Sequence, residues 1–136
     1  MVSSVWPVLH YDDTAAARQF LVDVVGFDEA LVIRDDDGDI VHAELTWPGG
    51  GAINFGGTRH DSGVHAAMRS GTSAVYLATE DVDAVVRRVR GSSVGTIIQP
   101  PAATQFGAGA IDTYAATIAD AEGNLWTLGT YPGAAR

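Results

Sequence analysis

"DAEGNLWTLG", residues 120–129, is a turn of Asp, Glu, Gly and Asn that runs into an alternating apolar strand. Its tail, Gly123–Gly129 "GNLWTLG", has an echo at Gly50–Gly56, "GGAINFG". The echo pairs Ile53 with Trp126, Asn54 with Thr127 and Phe55 with Leu128. A chain written twice is read as two copies of one structural unit.

Working outward, the two halves keep the same order. In the first, "VLHYDD" precedes "TAAARQFLVDVVGF", in which Ala17, Phe20, Leu21 and Val24 form an apolar helical stripe. Asp12 or Asp13 caps its start and Gly26 ends it. In the second, "VYLATED" precedes "VDAVVRRVRGSSVG", with Val82, Val85, Val86 and Val89 at the same spacing, Asp81 as cap and Gly91 as stop. Three strand-like runs follow each helix. The first set is "EALVIRDDDGDIVHAELTW", two strands around an Asp-Gly hairpin, then "WPGGGAINFGG". The second is "GTIIQPP", a Gly-rich loop "AATQFGAGA", "IDTYAATIAD" and "NLWTLGTY". The predicted fold is α+β: two βαβββ modules, about 1–57 and 72–132, joined by a linker at about 58–71 within one domain.

The segments "YDDTAAARQFLVDVVGF", "HAEL", "VYLATEDVDAVVRRV" and "DAEGNLWTLGTY" follow one another as in the vicinal oxygen chelate superfamily. The chain resembles that superfamily, which includes glyoxalase I, extradiol dioxygenases and bleomycin-resistance proteins, and within it the PhnB-like branch. The resemblance implies a curved mixed-sheet cup with helices outside and a ligand or metal inside. It also implies a homodimer, with the cup completed within one chain or by module exchange.

The resemblance further implies where metal ligands would stand: Trp6 and Ala74 on the first strands, Asn54 and Thr127 on the last. None of the four offers imidazole or carboxylate, so a family-type metal site is not expected. An alternative, displaced site could use His10, His42 and Glu44 to hold Zn, Ni, Mn or Fe, because strand alternation puts His42 and Glu44 on one face and His10 on the face of Trp6 and Val8. His60 and His65 fall in the linker and read as solvated.

Composition narrows the chemistry. The 136 residues contain no cysteine, which removes thiol nucleophiles, disulfides and thiolate metal sites. They contain no lysine either, which removes side-chain Schiff bases and the P-loop lysine. A net charge of −9 repels a phosphate backbone and suits a neutral or cationic small molecule. No apolar run is long enough to cross a bilayer and no secretory signal is visible, so a cytoplasmic protein is expected. The usage hints at a GC-rich bacterial genome.

Three motifs dissolve on inspection. "GSSVG" at 91–95 follows a helix and precedes a strand, the reverse of a nucleophile elbow. "DDDGD" at 35–39 lacks the glycine and glutamate of a calcium loop and reads as a hairpin turn. "RRVR" at 87–90 ends the second helix as a solvated face that complements its dipole.

Alternation turns Trp126 and Leu128, with Ile53 and Phe55, toward the helices. The expected ligand-binding set is Trp6, His10, His42, Glu44, Trp47, Asn54, Tyr76, Phe106, Tyr114 and Thr127. Aromatic surfaces with a few polar groups suit a flat organic ligand, bound without metal, as the bleomycin-resistance proteins sequester a drug. The alternatives are a metal-dependent glyoxalase-like lyase, isomerase or dioxygenase, and an interaction module whose cup is filled by Tyr76, Phe106 and Tyr114.

Overall fold

The structure, a computed structural model, describes residues 4–106 and 111–134, with Phe106 through its backbone alone. Its first half runs β1 (Val8–Tyr11), a helix α1 (Thr14–Arg18, continued in a wider π-helical stretch Gln19–Val25), β2 (Asp28–Arg34), β3 (Ile40–Thr46) and β4 (Ala52–Gly57). The second runs β5 (Ala74–Ala78), α2 (Val82–Arg90), β6 (Gly95–Phe106), β7 (Ile111–Asp120) and β8 (Leu125–Gly129). Each half is one mixed four-stranded sheet, ordered β1-β4-β3-β2 and β5-β8-β7-β6, with the outer pairs β1–β4 and β5–β8 parallel. The tandem βαβββ fold is therefore present.

The echo in the sequence is an echo in the pairing. Val8 lies beside Asn54 and Tyr76 beside Thr127, equivalent partners in the two sheets. One expectation fails: residues 102–106 are not loop but the end of β6, pairing with β7 from Ala102↔Ala115 to Phe106↔Ile111. The Pro100-Pro101 pair lies within the strand, where proline is unusual. It is tolerated because β6 is an edge and the register shifts between Gln99 and Ala102. Residues 107–110 of the expected loop lie outside the described residues.

Helix ends follow their sequence unevenly. The Asp13 carboxylate accepts from the Ala16 N–H at 3.0 Å, closing α1, and Gly26 ends the helix in the left-handed region at φ 111°. Asp81 occupies the corresponding place before α2 but makes no side-chain cap; instead its own N–H donates to Thr79 Oγ1 at 3.0 Å. Arg88, expected on a solvated face, turns its guanidinium to the other helix. Its Nε donates to the Val24 carbonyl at 2.6 Å, adding positive charge where that helix's dipole is negative.

Alternation puts Leu9, Tyr11, Ile53, Phe55, Trp126 and Leu128 on the helix side of the sheets, all buried in one core that spans both modules. Trp126, fully buried, packs against Phe20 and Phe27 of the other module at ring separations of 6.2 and 6.0 Å. Burying an indole of that size contributes on the order of 4–6 kcal/mol before entropy is counted.

"DAEGN" is the polar clasp of the two halves. Asp120, itself buried, accepts from Tyr11 Oη at 2.7 Å, Trp126 Nε1 at 3.2 Å and Asn124 Nδ2 at 2.9 Å. Burial, then the neighbouring Asp120 carboxylate, pushes the Tyr11 hydroxyl pKa far above that of an ordinary phenol. Glu122 reaches across to the mouth of α1, accepting from the Asp12 and Asp13 N–H groups at 2.7 and 2.9 Å and from the Ser70 hydroxyl. The chain entering β5 passes so close that a Cβ on Gly71 would stand 2.2 Å from the Glu122 carbonyl oxygen.

Candidate functional site

With odd positions of β1 turned to the core, the even ones face outward on an open sheet. Rows run across that sheet: Val8 beside Asn54, Asn54 beside Glu44, Glu44 beside Leu31. Trp6 lies just before β1 on the same face, and 42% of it is exposed. The Asn54 amide, with its oxygen turned to the indole, accepts from Trp6 Nε1 at 2.7 Å and donates to the Ile53 carbonyl at 3.1 Å; this orientation satisfies both ends. Asn54 thereby fixes the ring plane of Trp6.

A pocket of about 470 Å³ opens beside this pair, lined by Trp6, Ala30, Glu44, Trp47, Pro48 and Asn54 among others. Trp47 is held at its rim by a tilted contact with the Phe27 ring at 5.0 Å and by donation from Nε1 to the Ala78 carbonyl at 3.0 Å. Two anchored indoles, one half-exposed carboxylate and one committed amide form an apolar slot with a negative edge. The volume is that of a small organic ligand.

The displaced triad is not assembled. His42 Nε2 pairs with Glu44 at 2.8 Å, but His10 Nδ1 pairs with Asp61 at 3.0 Å on the far side of Gly56. Among the described residues the three His and carboxylate groups close enough to share an ion are Asp35, Asp39 and His60, at the hairpin. There His60 Nε2 lies 2.9 Å from Asp35 and 3.1 Å from Asp39, and Arg59 stands beside both carboxylates. The hairpin itself is as expected, with Asp35 Oδ1 accepting from the Asp37 and Asp39 N–H groups at 2.9 and 3.0 Å. His60 and His65, expected to be merely solvated, both have partners: His65 tilts against His10 at a ring separation of 5.4 Å.

On the second sheet, Thr127 faces outward and shares a hydrogen bond of 2.9 Å with Thr117. Tyr76 is on the same face, donating to the Tyr131 carbonyl at 2.8 Å and covering Gly129, where a Cβ would stand 2.5 Å from its hydroxyl oxygen. Tyr114 turns the other way, to the helix side, and its hydroxyl donates to Asp83 of α2 at 2.6 Å, which raises its pKa. The Phe106 side chain lies outside the described residues. Of the ten expected residues, Trp6, Glu44, Trp47 and Asn54 share one pocket, His10 and His42 share another, Tyr76 and Thr127 share the second face, and Tyr114 leaves the site. Asp61 was not foreseen, because a linker carboxylate 51 residues from its histidine has no sequence spacing to betray it.

The positions where the resemblance implies metal ligands hold the Trp6–Asn54 bonded pair on one face, and Ala74 and Thr127 on the other. These side chains do not fit a divalent metal, whose usual donors are imidazole and carboxylate.

Comparison with known proteins agrees with this architecture. The model of the Glyoxalase/Bleomycin resistance protein/Dioxygenase superfamily matches residues 5–128, and the chain belongs to that superfamily. Among solved structures it is similar to TioX from Micromonospora sp. ML1, with a TM-score of 0.71 and 28% identity over 93% of this chain and 98% of that one. TnmS3, an antibiotic binding protein from Streptomyces sp. CB03234, aligns with a TM-score of 0.66 and 23% identity over 93% and 94% of the two chains. A glyoxalase/bleomycin resistance protein from the same organism gives 0.62 and 22% over 91% and 98%. No curated protein sequence matches significantly. Among the described residues no helix is long and apolar enough to cross a membrane.

Proposed function

We propose, from membership of this superfamily, that the protein binds a small, flat, neutral or cationic organic molecule without metal, in the slot between Trp6 and Trp47. The single observation that carries the reading is the Trp6–Asn54 bond: the residues standing where relatives would ligate a metal are spent on orienting an exposed indole. Glu44 supplies the negative edge, and the net charge of −9 steers a cation toward it. An antibiotic binding protein of the same fold supports the reading by analogy. Within the superfamily the sequence segments favour the PhnB-like branch.

We also propose a homodimer. The outward faces carry exposed Val8, Leu31 and Ile33 on one sheet and Ile98, Ile111 and Leu125 in the other half, apolar surface that a second copy would cover while walling the slot.

The test is titration with 9-aminoacridine, a flat cation, followed by tryptophan fluorescence, on protein whose metal content is measured first. The expected result is saturable quenching that is lost in a Trp6→Phe, Trp47→Phe double variant, in which buried Trp126 still reports the fold. Stoichiometric metal that disappears in His42→Ala or Glu44→Ala would overturn it in favour of a glyoxalase- or dioxygenase-type enzyme.

A further inference from the structure

All four histidines of the chain line one small pocket. It lies at the other end of the first open face, has a volume of about 200 Å³, and is bounded by Val8, Val41 and Phe55 as well as by the imidazoles. His42 leans to Glu44 and His60 to Asp35 and Asp39, so their Nε2 atoms are engaged. His65 tilts against His10. His10 differs from the rest. It is only 7% exposed, and its Nδ1 lies 3.0 Å from both carboxylate oxygens of Asp61.

A carboxylate accepts hydrogen bonds and cannot donate them, so the proton of neutral His10 sits on Nδ1. Nε2 is left with a lone pair, and among the described residues it has no hydrogen-bond partner. The pocket thus presents His10 Nε2 as a fixed, largely buried acceptor, flanked by the carboxylates of Asp61 and, through His42, Glu44. A ligand with an anionic group is repelled there; one with a hydroxyl donor is matched.

We propose that this pocket is a second binding site, distinct from the tryptophan slot, which takes a single uncharged ring bearing a hydroxyl group, the hydroxyl donating to His10 Nε2. The volume admits one ring and little more. Val8 and Val41 supply its apolar walls. Asp61 acts as a positioning residue: it touches no ligand but fixes which nitrogen of His10 accepts. The site does not depend on the function proposed for the tryptophan slot, and the two fail separately, since ligands here leave Trp6 and Trp47 untouched.

The experiment compares phenol, anisole and benzoate by calorimetry in the presence of EDTA, alongside long-range ¹H–¹⁵N spectra of the histidines. Phenol is expected to bind roughly tenfold or more tightly than anisole, which has the ring but no donor, and benzoate not to bind. The spectra are expected to show His10 with its proton on Nδ1, and an Nε2 resonance that moves with phenol and not with anisole. His10→Phe and Asp61→Leu, which leave no acceptor at those positions, are each expected to abolish the preference for phenol. Equal binding of phenol and anisole, a His10 proton on Nε2, or a preference that survives His10→Phe would overturn the proposal. So would phenol binding that appears only when EDTA is replaced by a divalent metal. The spectra of the unaltered protein decide the matter even if a variant does not fold.

Discussion

Tyr11 and Asp120, 109 residues apart, share a buried hydrogen bond of 2.7 Å that joins the first strand of one module to the last turn of the other. Tyr11→Phe removes one donor from Asp120 and leaves the Trp126 and Asn124 donors in place. The expected loss is about 1–2 kcal/mol in urea unfolding.

The same bond sets an alkaline limit. The folded-state pKa of Tyr11 lies above its ordinary value of 10.0, first through burial and then through Asp120. Its stabilisation is therefore complete below about pH 10 and is lost as the pH rises beyond that value. Stability measured from pH 8 to 11 should fall at the top of the range, and Tyr11→Phe should flatten the fall.

Helix capping divides unequally between the modules. Glu122→Ala strips the Asp12 and Asp13 N–H groups of their acceptor, and about 1–2 kcal/mol is expected to go with it. Asp81→Ala, at the equivalent mouth of α2, removes no side-chain cap and should cost less than about 0.5 kcal/mol. Thermal melts of the two variants side by side check the contrast.

Gly71 has φ of 81° and no room for a Cβ beside the Glu122 carbonyl. Gly71→Ala should destabilise by about 1–3 kcal/mol, and native-state hydrogen exchange should show the loss at the start of β5 and at the turn after β7.

In the tryptophan slot, Glu44→Gln should weaken 9-aminoacridine binding roughly two- to fivefold, the range for a half-exposed charge pair. The effect should shrink as salt is raised, and a neutral ring of the same size should show neither change.

The duplication, the order of elements along each module and the faces of Trp126 and Leu128 were legible because period-2 and helical patterns repeat at matching places. The alternation that put Trp6 and His10 on one face of their strand, and His42 and Glu44 together on theirs, was legible for the same reason. What sequence could not supply was anything fixed by closure of the chain on itself. Asp61 meets His10 only through the path of the linker, and Tyr114 could have served either side of β7 until Asp83 of α2 was placed beneath it. The run past Pro100-Pro101 continues as strand because an edge tolerates what a central strand does not.

The clasp at Asp120 has a consequence in time. During synthesis Tyr11 and Phe20 leave the ribosome long before the residues that cover them, Asp120 and Trp126, have been made. The first module must wait, with aromatic surface open, for nearly the whole chain to emerge. A chain stalled between the two modules is therefore expected to be a substrate for chaperones, and the final docking of β8 is the event that releases it.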